Sequence, residues 1–348
     1  MKKVCCFVVF LIISAASVFL MSGCSESYKA TIKVYNWGDY IDKDVLESFT
    51  TEHNIKVIYS EFATNEDMYA KLKAGGEDYD VVIPSDYMIK RMINDDILYK
   101  IDLNNIPNYK LIDDRFKNLA YDRENEYSVP YMWGTVGLLY NKKMVDDVVD
   151  SWSILWNEKY KKQILMLDSQ RDSIGITLKM LGHSLNSKDE AQLEEAKEML
   201  MDQKPLVLAY VGDAVKDKMI GGEAALAVVW SGDAIYMKRE NPDLEYVIPK
   251  EGSNIWFDAM VIPKTSKNKK EAELFIDYMC RTDIALKNAE FIGFSTPHTE
   301  VKSQLPVELT SDKTVYPGVD DLSNSEVFED LSDTLSIYDR IWTEIKAK

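Results

Sequence analysis

Cysteine and histidine are scarce in this chain, and that scarcity restricts its chemistry. Only four of its 348 residues are cysteine and three are histidine. Cys5, Cys6 and Cys24 lie in or directly after an apolar N-terminal run, so only Cys280 remains in the rest of the chain. A disulfide within that part and a cysteine-based zinc site are therefore excluded, and the three histidines lack the spacing of metal ligands. We expect no metal and no cofactor.

Basic residues are also fewer than acidic ones. The chain has 41 basic and 58 acidic residues, which gives a formal net charge of −17. Nucleic acids and anionic membrane surfaces require clustered Lys and Arg, so a general affinity for either is not expected, and cationic partners are favoured. The chain also lacks a P-loop, a dinucleotide-binding glycine pattern and a nucleophile elbow. We therefore do not expect an enzyme.

The N-terminus has the pattern of an export signal. Two lysines precede an apolar run from Val4 to Met21, which ends in Leu-Met-Ser-Gly-Cys at residues 20–24. This ending resembles a lipobox, so we predict a signal peptide over residues 1–23, lipidation of Cys24 and a tether over residues 24–30. The alternative is an uncleaved anchor, since the run is just long enough to span a membrane. Both alternatives place the body outside the cytoplasmic membrane of a bacterium, in the periplasm or beyond it.

The body alternates β-branched runs with amphipathic segments. Apolar residues make up 46% of the chain, which is enough to fill a sizeable core. Strands are predicted at 31–36, 55–61, 79–83, 163–167, 206–210, 225–229 and 257–262. Helices are predicted at 43–53, 66–73, 88–94, 174–181, 188–202, 269–280 and 326–346. This alternation indicates an α/β fold with largely parallel sheets. The long extended run at residues 127–140 could pass from one lobe to another.

Aromatic and acidic residues recur at the predicted strand ends. They are Trp37, Asp39, Tyr40, Ser85, Asp86, Tyr87, Asp168, Asp172, Trp230, Asp233, Trp256 and Asp258. Ligands of open α/β sheets bind beyond the carboxyl ends of strands. Because carboxylates pair with ammonium groups and aromatic faces attract cations, the pattern indicates a site for an elongated organic cation.

Some of these residues have a structural alternative as helix N-caps. That alternative is strongest for Asp168 and also applies to Asp172, Asp233 and Ser85. Asp258 is harder to explain in this way, because no helix follows it.

Seven stretches, in one order, carry a resemblance. They are residues 34–40, 79–87, 128–134, 229–233, 249–252, 256–258 and 292–297. From about residue 31 to its end, the chain resembles the spermidine/putrescine-binding proteins of bacterial ABC polyamine uptake systems. The resemblance implies an α/β fold with the two lobes of a type II periplasmic binding protein, each a mixed, mostly parallel sheet flanked by helices and joined by crossover hinge segments. Lobe 1 would hold residues 31–137 and 260–305, and lobe 2 residues 138–259 and 306–348.

The resemblance also implies a ligand-binding set. Its members are Trp37, Asp39, Tyr40, Ser85, Asp86, Tyr87, Asp172, Trp230, Asp233, Trp256, Asp258 and Phe294. Within it, Trp230 and Trp256 would flank the methylene chain, Asp172 would bind a terminal ammonium, and Asp258 would bind an inner or secondary amine. Asp233 matches those members that place a carboxylate there.

Three positions depart from the family pattern. Gly38 stands where Thr or Ser is common, Phe294 where Tyr is common, and Ser169 where some members have an Asp. Each removes or moves a polar contact, so the choice between a diamine and a triamine stays open.

The resemblance implies an extracytoplasmic receptor that captures spermidine, putrescine or both and delivers them to an ABC permease. Its partners would be the polyamine, the permease subunits and the membrane, through the lipid on Cys24, with no nucleic acid and a monomeric body. One alternative is a same-fold binding protein for another cationic or small solute. Another is a surface hydrolase that uses Asp172, Asp233 and Asp258 as acid and base.

Overall fold

A computed structural model describes residues 27–75 and 77–347 of this protein. The predicted signal peptide and the lipidation site at Cys24 lie outside the described residues. Within the described part of the chain, no helix has the length and apolar character needed to cross a membrane.

Strands and helices alternate through most of the chain. The strands are β1 Ala30–Trp37, β2 Ile55–Phe62, β3 Val81–Val82, β4 Ser128–Asn141, β5 Ile164–Leu167, β6 Val207–Val211, β7 Leu226–Trp230, β8 Leu244–Val247 and β9 Ile255–Val261. The α-helices are α1 Lys43–His53, α2 Asn65–Ala74, α3 Asp86–Asn94, α4 Gln170–Met180, α5 Glu190–Gln203, α6 Val215–Ile220, α7 Ser231–Glu240, α8 Lys269–Met279, α9 Thr282–Ile292, α10 Thr299–Gln304, α11 Val307–Thr310 and α12 Leu335–Ala347.

One long strand belongs to both halves of the sheet. The strand order is β2-β1-β3-β9-β4-β7-β5-β6, with β8 also paired to β4. Residues 128–135 of β4 pair with β9, whereas residues 136–141 pair with β7 and β8. The extended run that the sequence indicated is thus one strand that connects two regions of sheet.

Each half of the sheet is mixed. β1 runs parallel to β2 and β3, and β5 runs parallel to β6 and β7. β4 is antiparallel to β7, β8 and β9, and β9 is antiparallel to β3. The two parallel sets therefore run in opposite directions, and their carboxyl ends approach the middle of β4 from either side, while β9 lies wholly in the half that contains β3.

Several sequence-based boundaries need correction. The sequence did not predict β8 or the helices α6, α7, α9, α10 and α11. The predicted helix at 326–346 begins only at Leu335, because the backbone of Glu326 instead pairs with Ser253 and Ile255 at the start of β9. Hydrogen bonding to a neighbouring strand there replaces the helical pattern.

The N-cap expectation for Asp168 is wrong. Ser169 caps α4, and its hydroxyl accepts a hydrogen bond from the backbone N–H of Asp172. Asp168 lies on the surface, where it accepts a hydrogen bond from the ammonium of Lys346 at 2.8 Å. Ser85 does occupy the N-cap position of α3, but its side chain makes no capping hydrogen bond. Asp172 therefore lies inside the first turn of α4 and is not its N-cap, and its carboxylate accepts a hydrogen bond from the Ser169 hydroxyl.

Candidate ligand-binding cleft

Asp258 is a buried carboxylate with one oxygen left unpaired. It lies on β9, and only 6% of its surface is exposed. The Tyr40 hydroxyl donates a hydrogen bond to Oδ2 at 2.8 Å, while Oδ1 has no partner among the described residues. Burial raises the pKa of Asp258 to about 7, and the nearby hydroxyls of Ser85 and Tyr40 act in the opposite direction. A buried acceptor without a donor is costly, so this oxygen is suited to a donor from outside the chain.

Three aromatic rings surround this carboxylate. The Phe294 ring lies edge-on between Tyr40 and Trp256, with ring-centre distances of 5.3 and 5.1 Å. The indole N–H groups of Trp37 and Trp256 are buried and lack partners among the described residues. Aromatic walls and unpaired donors beside an unpaired acceptor are typical of a site that is completed by a ligand.

Two glycines permit the close approach of these rings. A Cβ atom at Gly134 would lie 2.5 Å from the Trp256 ring, and one at Gly232 would lie 2.1 Å from the Phe294 ring. Real Cβ contacts are not that short, so any side chain at either position would displace an aromatic wall of the cleft.

Asp86 is buried beside Asp258, but each of its carboxylate oxygens already accepts a hydrogen bond from a backbone N–H group. Its two oxygens accept hydrogen bonds from the N–H groups of Tyr87 at 2.6 Å and Phe257 at 2.9 Å. Burial raises the pKa of Asp86 to about 8, against the lowering effect of those two bonds. Asp86 therefore fixes α3 against β9 and has little acceptor capacity left for a ligand.

Ser85 and Tyr87 take part in a polar network on the same side. The Asn65 amide donates to the Ser85 hydroxyl and to the Tyr87 hydroxyl, each at 3.1 Å. The Tyr87 hydroxyl in turn donates to Glu66 at 3.0 Å. Burial raises the pKa of Glu66. The network adds an acidic group to the cleft that the sequence did not single out.

Asp172 lies at one end of the cleft. It accepts hydrogen bonds from the Ser169 hydroxyl at 2.8 Å and from the Asn254 amide at 3.5 Å. Burial raises the pKa of Asp172 to about 6, against the hydrogen bonds and the charge of Arg171. Asn254 Oδ1 is buried and has no partner among the described residues. This end offers two buried acceptors.

Arg171 is held in an aromatic cage next to Asp172. Its guanidinium lies 5.0, 4.3 and 5.6 Å from the ring centres of Tyr87, Phe328 and Tyr338. It donates to the backbone oxygen of Glu329 at 3.1 Å and to Asn186 at 3.0 Å. The cage joins α3, α4 and the C-terminal segment, and it places a fixed positive charge at this end.

Asp233 lies at the other end, beside the ammonium of Lys216. Lys216 Nζ is 3.3 Å from the carboxylate oxygens of Asp233, Asp213 and Asp39. Burial raises the pKa of Asp233 to about 6, against the lowering effect of Lys216. Asp39 is exposed and has a positive φ of 49°, so of the predicted residues it is the one that faces outward. Trp230 is half-buried at the carboxyl end of β7.

The structure connects most of the predicted residues through direct contacts along this cleft. Sequence reasoning did not assign a role to five further residues that contact them: Asn65, Glu66, Arg171, Lys216 and Asn254. Lys216 lies on α6, a helix the sequence did not predict, and Asn254 lies just before β9. Their positions depend on tertiary packing and left no pattern in the sequence.

A separate surface cavity of about 180 Å³ contains none of the predicted ligand-binding residues. Phe116, Trp133, Lys302 and Tyr316 line it, together with Arg115. The charge of Arg115 is already paired with Asp113. In the described ranges, no group of three or more His, Cys, Asp or Glu residues is arranged to hold a metal ion.

Comparisons with known proteins place this geometry in context. Residues 44–317 match the family model described as bacterial extracellular solute-binding protein. The chain is 36% identical to a spermidine/putrescine-binding periplasmic protein of Salmonella typhimurium over 339 residues, which cover 97% of each chain.

Two solved structures agree with that match. A protein described as a spermidine/putrescine ABC transporter from Listeria monocytogenes is 44% identical, with a TM-score of 0.88, over 91% of this chain and 98% of its own. A lipoprotein of Treponema pallidum is 28% identical, with a TM-score of 0.82, over 91% of this chain and all of its own. The expected α/β binding-protein fold is thereby confirmed.

Proposed function

We propose that this chain, which belongs to the bacterial extracellular solute-binding protein family, binds a polyamine in the cleft around Asp258 and delivers it to an ABC permease. Membership of that family makes the chain a solute-binding protein, as expected, and the hydrolase alternative is not needed. The names of its relatives from Salmonella and Listeria support spermidine or putrescine as the ligand.

The observation that carries the proposal is the unpaired Oδ1 atom of Asp258. A primary ammonium has three N–H donors and a positive charge, so it satisfies this acceptor and offsets the cost of a buried carboxylate. The indole of Trp256 contributes a cation–π attraction, worth up to about 2 kcal/mol when the cation is desolvated. A neutral sugar would leave the carboxylate charge uncompensated.

A second ammonium fits the Asp172 end. Asp172 and the unpaired Oδ1 of Asn254 supply acceptors there. Asp172 and Asp258 are buried acids of this cleft that neither backbone N–H groups nor an internal ammonium occupies. Two such acids favour a ligand with two positive charges over an amino acid, whose carboxylate would need a free Arg. The guanidinium of Arg171 is caged by aromatic rings and donates to Glu329 and Asn186, which leaves only its Nε without a partner among the described residues.

The lobes and the anchor are parts of the same proposal. We assign residues 31–137 and 255–305 to lobe 1 and the remainder of the body to lobe 2. The pairing of all of β9 with 128–135 supports moving residues 255–259 to lobe 1. We assign the lipid anchor to Cys24, in a membrane-attached protein whose body lies outside the cytoplasmic membrane. The lipobox-like residues 20–24 and the lipoprotein relative from Treponema support this assignment.

The test is calorimetric titration of the purified protein, stripped of ligand by unfolding and refolding, with putrescine, spermidine and spermine. Glutamate and maltose serve as controls. Saturable binding to a polyamine, with no heat from the controls, supports the proposal. A folded, stripped protein that binds no polyamine would refute it and would redirect the search to other cations.

A further inference from the structure

Resting on that proposed function, we propose that Lys216 is an internal occupant of the Asp233 end of the cleft and thereby limits the number of ligand ammonium groups the cleft accepts. The Lys216 ammonium takes the place that a third ligand ammonium would take. The protein consequently prefers a diamine to a triamine.

The contacts of Lys216 are those of a bound ammonium group. Its Nζ lies 3.3 Å from one oxygen each of Asp39, Asp213 and Asp233. The side chain is only 15% exposed, and that of Asp233 only 11%, so this charge pair is largely removed from water. The ammonium donates hydrogen bonds to Asp39 and Asp213 and forms an ion pair with Asp233, so it already neutralises the carboxylate that a ligand ammonium would otherwise meet here.

Gly38 contributes to this arrangement. A Cβ atom at Gly38 would lie 3.2 Å from Asp213 Oδ2, which is closer than side chains usually come. The departure from Thr or Ser at this position therefore gives Asp213 room beside the cleft. Lys216 and its three carboxylate partners thus lie beside Gly38, where the family commonly has the hydroxyl of Thr or Ser.

The acidic groups of the cleft fall into two kinds. Burial is the main cause of the raised pKa of Tyr40, and the negative charges of Asp258 and Asp233 raise it further. Both carboxylates therefore lie near the Tyr40 hydroxyl. Asp233 has an internal cation at 3.3 Å. Asp258 has none, and Asp172 contacts only hydroxyl and amide groups directly. Backbone N–H groups occupy Asp86, and the Tyr87 hydroxyl donates to Glu66. Asp258 and Asp172 therefore remain for ligand ammonium groups, which matches a diamine.

Removal of the Lys216 charge tests the proposal. We expect Lys216→Met to increase the affinity for spermidine relative to that for putrescine by about tenfold or more, because a third carboxylate becomes available. Lys218→Met is the matched control. It lies on the same helix, and its ammonium pairs with Glu223 rather than with the cleft. It should leave the ratio of the two affinities unchanged.

Two further variants keep the test decisive if Lys216→Met is unstable. Lys216→Arg retains the charge and should retain the wild-type preference. In the double variant, Asp233→Asn should abolish the gain in spermidine affinity that Lys216→Met gives.

The outcomes separate the alternatives. If Lys216→Met lowers the affinities for putrescine and spermidine by the same factor, Lys216 only holds the cleft closed and the proposal is wrong. If the affinity ratio does not change, or if the gain in spermidine affinity persists in the double variant, the proposal is also wrong. Failure of the wild-type protein to bind any polyamine would instead refute the proposed function.

Discussion

The surroundings of Asp86 and Asp258 differ although the two carboxylates lie next to the same strand. Asp86 is 1% exposed and Asp258 6%, and burial raises the pKa of both. Asp86 accepts two backbone hydrogen bonds, one of them from Phe257, the neighbour of Asp258 on β9. Asp258 accepts one hydrogen bond, from Tyr40, and has a free oxygen.

The difference distinguishes a carboxylate that serves the fold from one available for binding. A buried polar group whose acceptors are all used contributes to the stability of the folded state. A buried group with an acceptor left over reduces that stability until a ligand donates to it. Asp86 and Asp258 are both buried and both have a raised pKa, so these two properties would assign both to the binding site. The number of hydrogen bonds that each carboxylate accepts distinguishes them.

The largest expected effect on ligand affinity is that of Asp258→Asn. We expect about a hundredfold weaker polyamine binding, since one member of a buried charge pair is removed. The fold should survive, because the amide oxygen can still accept from Tyr40. Calorimetry gives the affinity, and circular dichroism checks the fold. Wild-type affinity in a folded variant would mean that Asp258 does not bind the ammonium.

The second expected effect is a dependence on pH. Because burial raises the pKa of Asp258 to about 7, a ligand ammonium must bind to a group that is partly protonated at neutral pH. Affinity should fall about tenfold for each pH unit below 7.

The stability of the unliganded protein should change in the opposite direction. A pKa above the unfolded value means that ionisation of Asp258 disfavours the folded state, so the free energy of unfolding should rise as pH falls from 8 toward 4. Titrations at pH 5 to 8 and urea unfolding check both trends. Equal affinity at pH 5 and 8 would contradict the assignment, and Asp258→Asn should flatten the profile.

The third expected effect concerns Trp256, whose ring packs against Phe294 in the cleft. Trp256→Leu should weaken binding by about tenfold or more through loss of the cation–π contact. Trp342→Leu is a suitable control, because Trp342 packs on Tyr210 at the C-terminal helix and not in the cleft. It should lower stability without changing ligand affinity in the folded fraction. Equal loss of affinity in both variants would show a general destabilisation.

The smallest effect on affinity is expected for Asp86→Asn. Its amide nitrogen cannot accept from the backbone, so one of the two hydrogen bonds is lost. The free energy of unfolding should fall by about 1–3 kcal/mol. Ligand affinity of the folded protein should change by less than about threefold. A loss of affinity as large as that for Asp258→Asn would remove the distinction between the two carboxylates.

The sequence predicted the parts of the site that depend on local pattern. Strand ends can be located from β-branched runs, which identified Trp37 and Tyr40 at and after the end of β1. Asp258 lies inside β9 and was identified because no helix follows it that it could cap. The sequence could not predict which carboxylate keeps a free oxygen, because the donors to Asp86 and Asp258 come from residues far along the chain. Nor could it predict Lys216, whose short helix α6 has only six residues and whose partner Asp39 lies 177 positions away. The resemblance implied that Asp233 contacts the ligand, and nothing in the sequence indicated that the Lys216 ammonium lies 3.3 Å from it.

The shared strand β4 also affects the order in which the chain can fold. Val82 on β3 pairs with Val261 on β9, and residues 128–135 of β4 pair with the same strand. During synthesis, the first half of the sheet therefore retains an open edge until residues 255–261 have been made. Such long-range pairing slows folding and delays closure of the N-terminal half. The N-terminal half therefore cannot complete its sheet before residue 261 has been made.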